Sequence, residues 1–93
     1  MFVLDIGDDA GALVVYTPPD MKDEEVEISW DGARPPRKVH TGVVERPLNG
    51  KPVCTAVFPS LQAGTYTLWR PDPPPMAGFE IQPGKVTELD WRT

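Results

Sequence analysis

Hydrophobic and polar residues alternate along most of this chain, with the two-residue period of β-strands. In Glu25–Trp30, Val26, Ile28 and Trp30 alternate with polar residues, which predicts a strand with one buried face. Gly11–Thr17 instead carries apolar residues at both sets of alternate positions. This pattern predicts a central strand that is covered on both faces.

The same alternation predicts five further short strands, separated by turn residues. They are Arg37–Glu45, Val53–Phe58, Thr65–Arg70, Phe79–Gln82 and Val86–Trp91. Asn49-Gly50 predicts a tight hairpin turn, and Pro83-Gly84 predicts a last hairpin between the final two strands. The one helical signal is Asp20–Glu25, where Asp20 as an N-cap predicts a single turn.

Length and composition limit the architecture to one small domain. A chain of 93 residues forms one domain, residues 1–93, with a thin core. Its 12 prolines are scattered among turn positions, which favours many short elements over disorder. Strand signals at intervals of about 8–12 residues are typical of an all-β sandwich or barrel. We therefore predict about seven or eight short strands in an all-β domain.

The stretch Phe58–Leu68 is the most informative part of the sequence. A proline-containing turn leads to Leu61, and Gly64 precedes the alternating pair Tyr66 and Leu68. This order predicts the end of one strand, a tight turn that depends on glycine, and the start of the next strand. Tyr66 and Leu68 are then expected to face the core.

Together with Gly78 and the segment Gly84–Asp90, this stretch resembles the C-terminal half of carboxypeptidase regulatory-like and transthyretin-like (prealbumin-like) domains. The resemblance covers about the last 40 residues. It implies a single antiparallel β-sandwich, transthyretin-like or immunoglobulin-like, without a peptidase site. The related adhesin repeats form an isopeptide bond through an Asn near their end. The only Asn here is Asn49, in a predicted turn, so we expect no such bond.

Charge is distributed unevenly along the chain. Residues 1–31 carry nine acidic residues and one lysine, a net charge of −8, whereas residues 32–93 carry five acidic and eight basic residues, a net charge of +3. One interpretation is a solvated acidic face that aids solubility. The other is a dipolar surface that pairs head-to-tail or steers a basic partner. The overall net charge of −5 argues against nucleic-acid binding.

No catalytic or cofactor-binding motif is evident. Cys54 and His40, the only residues of their types, lie in no nucleophile motif, and we expect a packed thiol and a surface imidazole. Phosphate-binding loops, Ser-His-Asp sets and Cys/His metal spacings are absent from the sequence. We therefore predict that the domain is not an enzyme and needs no cofactor.

Two groups of carboxylates are candidates for a functional site. Asp5, Asp8 and Asp9 suggest calcium, but their spacing does not match a calcium-binding loop and fits a turn equally well, so we predict no metal site. Glu88 and Asp90 lie on one face of the last predicted strand. If Leu89 and Trp91 face the core, as we expect, these two acids face solvent.

Trp69 and Arg70 are the predicted partner-binding residues. If Tyr66 and Leu68 face the core, Trp69 points outward at the end of its strand, whereas Trp30 and Trp91 fill the core. An outward Trp followed by Arg suits a contact surface. The competing interpretation packs Trp69 beneath the Pro71–Pro75 segment.

These features lead us to expect a non-catalytic interaction module that binds a protein partner, or itself as a homodimer, through a strand edge or the Trp69 surface. The alternatives are a domain for a small ligand or carbohydrate, and an enzyme whose site forms only on oligomerisation.

A single Cys excludes an internal disulfide, and Met1–Asp9 carries three Asp and no signal-peptide pattern. No segment has the ~20 apolar residues of a membrane span. We expect a cytoplasmic protein that contacts neither membrane nor nucleic acid.

Overall fold

The computed structural model describes residues 9–32, 37–70 and 75–92. Its elements are β1 (Ala10–Thr17), a 3₁₀ turn (Pro19–Met21), β2 (Glu25–Trp30), β3 (Arg37–Leu48), β4 (Lys51–Gln62), β5 (Gly64–Trp69), β6 (Met76–Ile81) and β7 (Val86–Asp90). Strands account for 72% of the described residues, which include no α-helix. The predicted all-β class is therefore confirmed.

The seven strands form one mixed sheet that is nearly closed into a barrel. Their order is β6-β5-β2-β3-β4-β1-β7, and every neighbouring pair is antiparallel except β1 and β7. The expectation of a wholly antiparallel arrangement is wrong at this parallel pair. The two end strands approach each other, since the Thr87 hydroxyl donates to the Glu80 carbonyl oxygen at 3.2 Å.

The long strand β3 divides the sheet into two parts. Residues 37–42 pair with β2, and residues 43–48 pair with β4. We call β7, β1, β4 and residues 43–48 the first half-sheet, and β6, β5, β2 and residues 37–42 the second half-sheet. At the crossing, Val43 N–H donates to the Glu24 carbonyl oxygen at 2.8 Å, and Asp23 N–H donates to the Val43 carbonyl oxygen at 3.2 Å.

The last two strands do not form the predicted hairpin. β6 pairs with β5, whereas β7 crosses to the far end of the sheet and pairs with β1. Gly84, with a φ of 71°, donates its N–H to the Ala10 carbonyl oxygen at 2.8 Å, and Ala12 N–H donates to the Lys85 carbonyl oxygen at 3.0 Å. These bonds carry the chain past β6 onto β1, so the Pro83-Gly84 turn joins two strands that are not neighbours.

Strand β4 continues through Pro59, where a strand end was predicted. Leu13 pairs with Phe58 and Gly11 pairs with Leu61, so two residues of β4 oppose one residue of β1. This β-bulge accommodates Pro59, which has no N–H to donate to a regular ladder. The Asn49-Gly50 turn is confirmed, with φ of 52° and 79° as a tight hairpin requires.

One hydrophobic core joins the inner faces of both half-sheets. The first half-sheet contributes Leu13, Val15, Val43, Cys54, Ala56, Phe58 and Leu61. The second contributes Val26, Ile28, Tyr66, Leu68 and Ile81, and Trp91 packs with them after β7. The predicted burial of Tyr66 and Leu68 is confirmed, as is that of Cys54.

The 3₁₀ turn lies between β1 and β2 and differs from the predicted helical turn. It spans Pro19–Met21 with Pro18 at the cap position, so Asp20 lies inside the turn and not at its N-cap. Pro19 suits this place because the first residues of a helix have no internal acceptor for an N–H. Glu24 N–H then donates to the Met21 carbonyl oxygen at 2.9 Å, which folds the following loop back on the turn.

Candidate functional site

A surface cleft of about 440 Å³ lies between the 3₁₀ turn and the ends of two strands. It is lined by Pro18, Asp20, Met21, Glu24, Glu25, Trp69 and Trp91. Pockets that bind small molecules fall in the range of about 300–1,000 Å³. The volume of the cleft lies within that range.

Trp69 forms the exposed aromatic wall of this cleft. It ends β5 on the outer face of the second half-sheet, opposite Glu27, and 44% of its surface is exposed. Its indole N–H donates to Ser29 Oγ at 2.9 Å, and Ser29 is buried. The predicted outward orientation is confirmed, and the hydrogen bond to Ser29 holds the ring in place. Packing beneath Pro71–Pro75 concerns a segment that lies largely outside the described residues.

Trp91 forms the second aromatic wall and anchors the cleft to the core. Its backbone N–H donates to the Tyr16 carbonyl oxygen at 2.7 Å, and its side chain is buried within the core cluster. The Arg70 guanidinium carbon lies 5.6 Å from the centroid of the Trp91 ring, within the range of a cation–π contact. Arg70 therefore supports this aromatic wall.

Three carboxylates line the cleft beside the two indoles. Glu25 Oε2 lies 2.9 Å from His40 Nδ1, so this carboxylate already has a partner. In the described part of the chain, the Asp20 and Glu24 carboxylates make no hydrogen bond or ion pair. Among the described residues that line the cleft, none is basic. The cleft thus combines aromatic surface with negative charge.

A second, smaller groove lies on the outer face of the first half-sheet. It holds about 70 Å³ and is lined by Val14, Tyr16, Arg46, Pro47, Leu48, Val53 and Thr55. Val44, Leu48 and Val86 are exposed apolar side chains on this face. The groove is too small for a drug-sized ligand, which needs several hundred cubic ångströms.

A network of charged and phenolic groups borders that apolar face. The Arg92 guanidinium hydrogen-bonds both carboxylate oxygens of Asp90 at 2.9 Å and lowers the pKa of Asp90 to about 2. Tyr16 donates its hydroxyl to the Glu88 carboxylate, and this bond, with burial, raises the pKa of Tyr16. As predicted, Glu88 and Asp90 are exposed, while Leu89 and Trp91 face the core. These shifts come from surface pairing outside the cleft.

The remaining candidates contribute no chemistry to the cleft. His40 is exposed, as predicted, and contacts the cleft only through Glu25. Asp5 and Asp8 lie outside the described residues, and Asp9 is exposed. Among the residues that the structure describes, no three His, Cys, Asp or Glu side chains converge into a group that could hold a metal ion. None of the described residues belongs to a helix with the length and apolar character needed to span a bilayer.

Of the two predicted site residues, Trp69 lines the cleft directly and Arg70 lies against its Trp91 wall. From the sequence, Trp91 is expected only in the core, and the acids of residues 1–31 are expected to form either a solvated face or a dipolar surface. Trp91 and these acidic residues lie far from Trp69 in the chain, so the sequence does not show that they are close in space. The excess of negative charge in residues 1–31 was the one available signal.

Comparison of the chain with protein-family models, curated proteins and solved structures finds no match.

Proposed function

We propose that this domain is a non-catalytic interaction module that binds a protein partner at the cleft formed by Trp69, Trp91 and the 3₁₀ turn. The observation that carries the proposal is Trp69 itself, a half-exposed indole held in place by Ser29 at the rim of a cleft. Tryptophan is among the residues that contribute most to binding energy in protein interfaces. A ring that is already ordered loses little side-chain entropy on binding.

We further propose kinship with the carboxypeptidase regulatory-like and transthyretin-like sandwiches. Two half-sheets around one core support this arrangement, as does Gly64 between β4 and the core residues of β5. A cytoplasmic location is part of the proposal, since the only Cys is buried and a single Cys cannot form an internal disulfide.

Self-association through a strand edge is the second form of the proposed interaction. β6 and β7 are the two ends of the sheet, and each pairs with one neighbour only. End strands offer backbone groups to another chain. Sedimentation across micromolar concentrations tests this route, and a monomer at all concentrations would leave binding to a different protein as the proposal.

Affinity capture from the native cell tests the Trp69 cleft. The baits are the wild-type domain, Trp69→Ala and the control Val86→Ala, which truncates an exposed apolar residue on the other half-sheet. A partner retained by wild type and Val86→Ala but lost from Trp69→Ala supports the proposal. The purified partner should then bind wild type more tightly than Trp69→Ala. Equal binding by all three proteins would contradict it.

A small ligand or carbohydrate is the second candidate, favoured by two indoles lining one cleft of about 440 Å³. Exposed aromatic rings can stack on sugar rings. A glycan array probed with the same three proteins discriminates the two candidates. Glycan binding that depends on Trp69, without capture of a protein, would favour the carbohydrate.

A further inference from the structure

We infer that the cleft accepts an arginine side chain from a basic segment of the partner, an inference that rests on the proposed function and names its ligand chemistry. The cleft joins two features that cations prefer. Trp69 supplies an exposed indole ring, the strongest natural cation–π acceptor, buried Trp91 adds a second indole to the lining, and Asp20, Glu24 and Glu25 supply negative charge. A carboxylate cluster alone would attract any cation, whereas its combination with aromatic walls selects a cation that can stack.

The protein already shows the expected contact within its own chain. The Arg70 guanidinium carbon lies 5.6 Å from the centroid of the Trp91 ring. Two other arginines, Arg37 over Trp30 and Arg92 over Tyr16, lie 5.6 and 5.1 Å from ring centroids. Guanidinium groups therefore stack on aromatic rings at three places in this small domain, one of them at a wall of the cleft.

Two cleft carboxylates are available to an incoming cation. Within the described ranges Asp20 and Glu24 form no ion pair, whereas Glu25 is held by His40. The backbone is held at Glu24, whose N–H donates to the Met21 carbonyl oxygen and whose carbonyl oxygen accepts from the Val43 N–H. Their negative charge is thus positioned beside Trp69 before binding.

Arginine fits this arrangement better than lysine. Its guanidinium is planar, weakly hydrated and able to stack on an indole while donating hydrogen bonds to a carboxylate. A segment of chain suits the surroundings better than a free amino acid, because exposed Asp23 extends the acidic surface beyond the cleft. Flanking basic residues would meet this surface, and the attraction would speed association at low salt.

The test uses a short Gly/Ser peptide that carries arginines, with the same peptide carrying citrulline as a neutral isostere and lysine as a second cation. Binding to the whole domain is measured by calorimetry and by the NMR shift of the Trp69 indole N–H. We expect the arginine peptide to bind about tenfold or more tightly than the citrulline peptide. Lysine should lie between them, and added salt should weaken the two cationic peptides.

Two variants that each remove one negative charge test whether the arginine peptide binds at the cleft. Glu24→Gln removes one charge from the cleft, and Glu45→Gln removes the same charge from exposed β3, away from the cleft. Glu24→Gln should weaken arginine-peptide binding severalfold, and Glu45→Gln should weaken it less than twofold. Both are isosteric surface changes, so thermal unfolding of each variant should match wild type.

Equal affinity for the arginine and citrulline peptides would overturn the inference. So would the absence of arginine-peptide binding up to about 1 mM, or equal losses in Glu24→Gln and Glu45→Gln. The proposed function has a separate readout in the native partner. If capture of that partner requires Trp69 but is unchanged in Glu24→Gln, the cleft remains an interface and only its preference for a cation is wrong.

Discussion

The two half-sheets share one core, yet their outer faces differ in chemistry. The first presents exposed apolar side chains, with Val44 at 47% and Leu48 at 49% exposure. The second presents an ion pair between Lys38 and Glu27 and a hydrogen-bonded pair of His40 and Glu25, beside Trp69. The inner faces follow one rule, burial of alternate residues, and so carry no information about partners. What the domain contacts depends on the outer residues, which the fold leaves free to vary.

The largest expected effect is on the shared core. Leu68 is fully buried on the inner face of β5, and Leu68→Ala should lower the free energy of unfolding by about 2–5 kcal/mol. The matched change on an outer face, Val44→Ala, should alter it by less than about 0.5 kcal/mol. Urea unfolding measures both. Similar losses for the two variants would contradict the assignment of inner and outer faces.

The next effect concerns the glycine between the half-sheets. Gly64 has a φ of 149°, and a Cβ there would lie 2.5 Å from the Trp30 indole nitrogen. Gly64→Ala should therefore destabilise the domain by about 1–3 kcal/mol. Gly42→Ala is the control, because nothing lies within 4 Å of a Cβ at Gly42. That change should be neutral or stabilising by up to about 1 kcal/mol. Unfolding midpoints that fall equally would refute the distinction.

A smaller effect separates the buried tyrosine of the second half-sheet from the surface tyrosine of the first. Burial raises the pKa of Tyr66, whose hydroxyl donates to the Gln62 carbonyl oxygen at 2.7 Å. The neutral phenol stabilises the fold fully below pH 10, and this stability is lost as pH rises through the raised pKa. Tyr66→Phe should cost about 0.5–1.5 kcal/mol at neutral pH.

The same variant should also reduce the loss of stability between neutral and alkaline pH. Denaturant unfolding at several pH values measures both effects, with Tyr16→Phe as the comparison at the surface. An unchanged alkaline dependence in Tyr66→Phe would assign that dependence to other groups.

The smallest effect is expected at the exposed pair of Asp90, the last residue of β7, and Arg92. Arg92→Gln should return the pKa of Asp90 from about 2 towards its ordinary value of 3.8. The pair contributes to stability above pH 3.8 and loses that contribution as pH falls towards 2. NMR titration of the Asp90 carboxyl measures the shift, and little change in unfolding at pH 7 is expected because the pair is solvent-exposed. An Asp90 pKa that stays near 2 in the variant would show that the Arg92 guanidinium is not the main cause, because the Arg92 backbone N–H, which also donates to Asp90, is retained.

Sequence alternation predicted the strands well because burial acts locally. The bounds of β2 agree residue for residue, and the inward directions of Tyr66, Leu68 and Leu89 were all predicted. The errors concern neighbours that are distant in the chain. Nothing local shows that β7 pairs with β1 or that β4 passes Pro59 by a bulge, since both depend on a strand that lies elsewhere in the sequence.

The cleft was only partly predictable for the same reason. The outward position of Trp69 follows from the period of β5, which is a local property. The meeting of Trp69 with Trp91 and Glu24 brings together β5, the residue after β7 and the loop before β2. Side chains from three separate segments converge only once the sheet is assembled, so no spacing in the sequence could indicate the group.

The parallel pairing of β1 with β7 has a consequence for the order of folding. It joins Ala12 to Val86 and Tyr16 to Asp90, so its contacts close almost the whole chain into a loop. Such a closure carries a large entropic cost and is expected late, after the local hairpins β3–β4 and β5–β6 have formed. Trp91 follows directly, and its N–H reaches β1 at Tyr16. The cleft between Trp69 and Trp91 would therefore be completed only in the final step, so a partly folded chain would lack it.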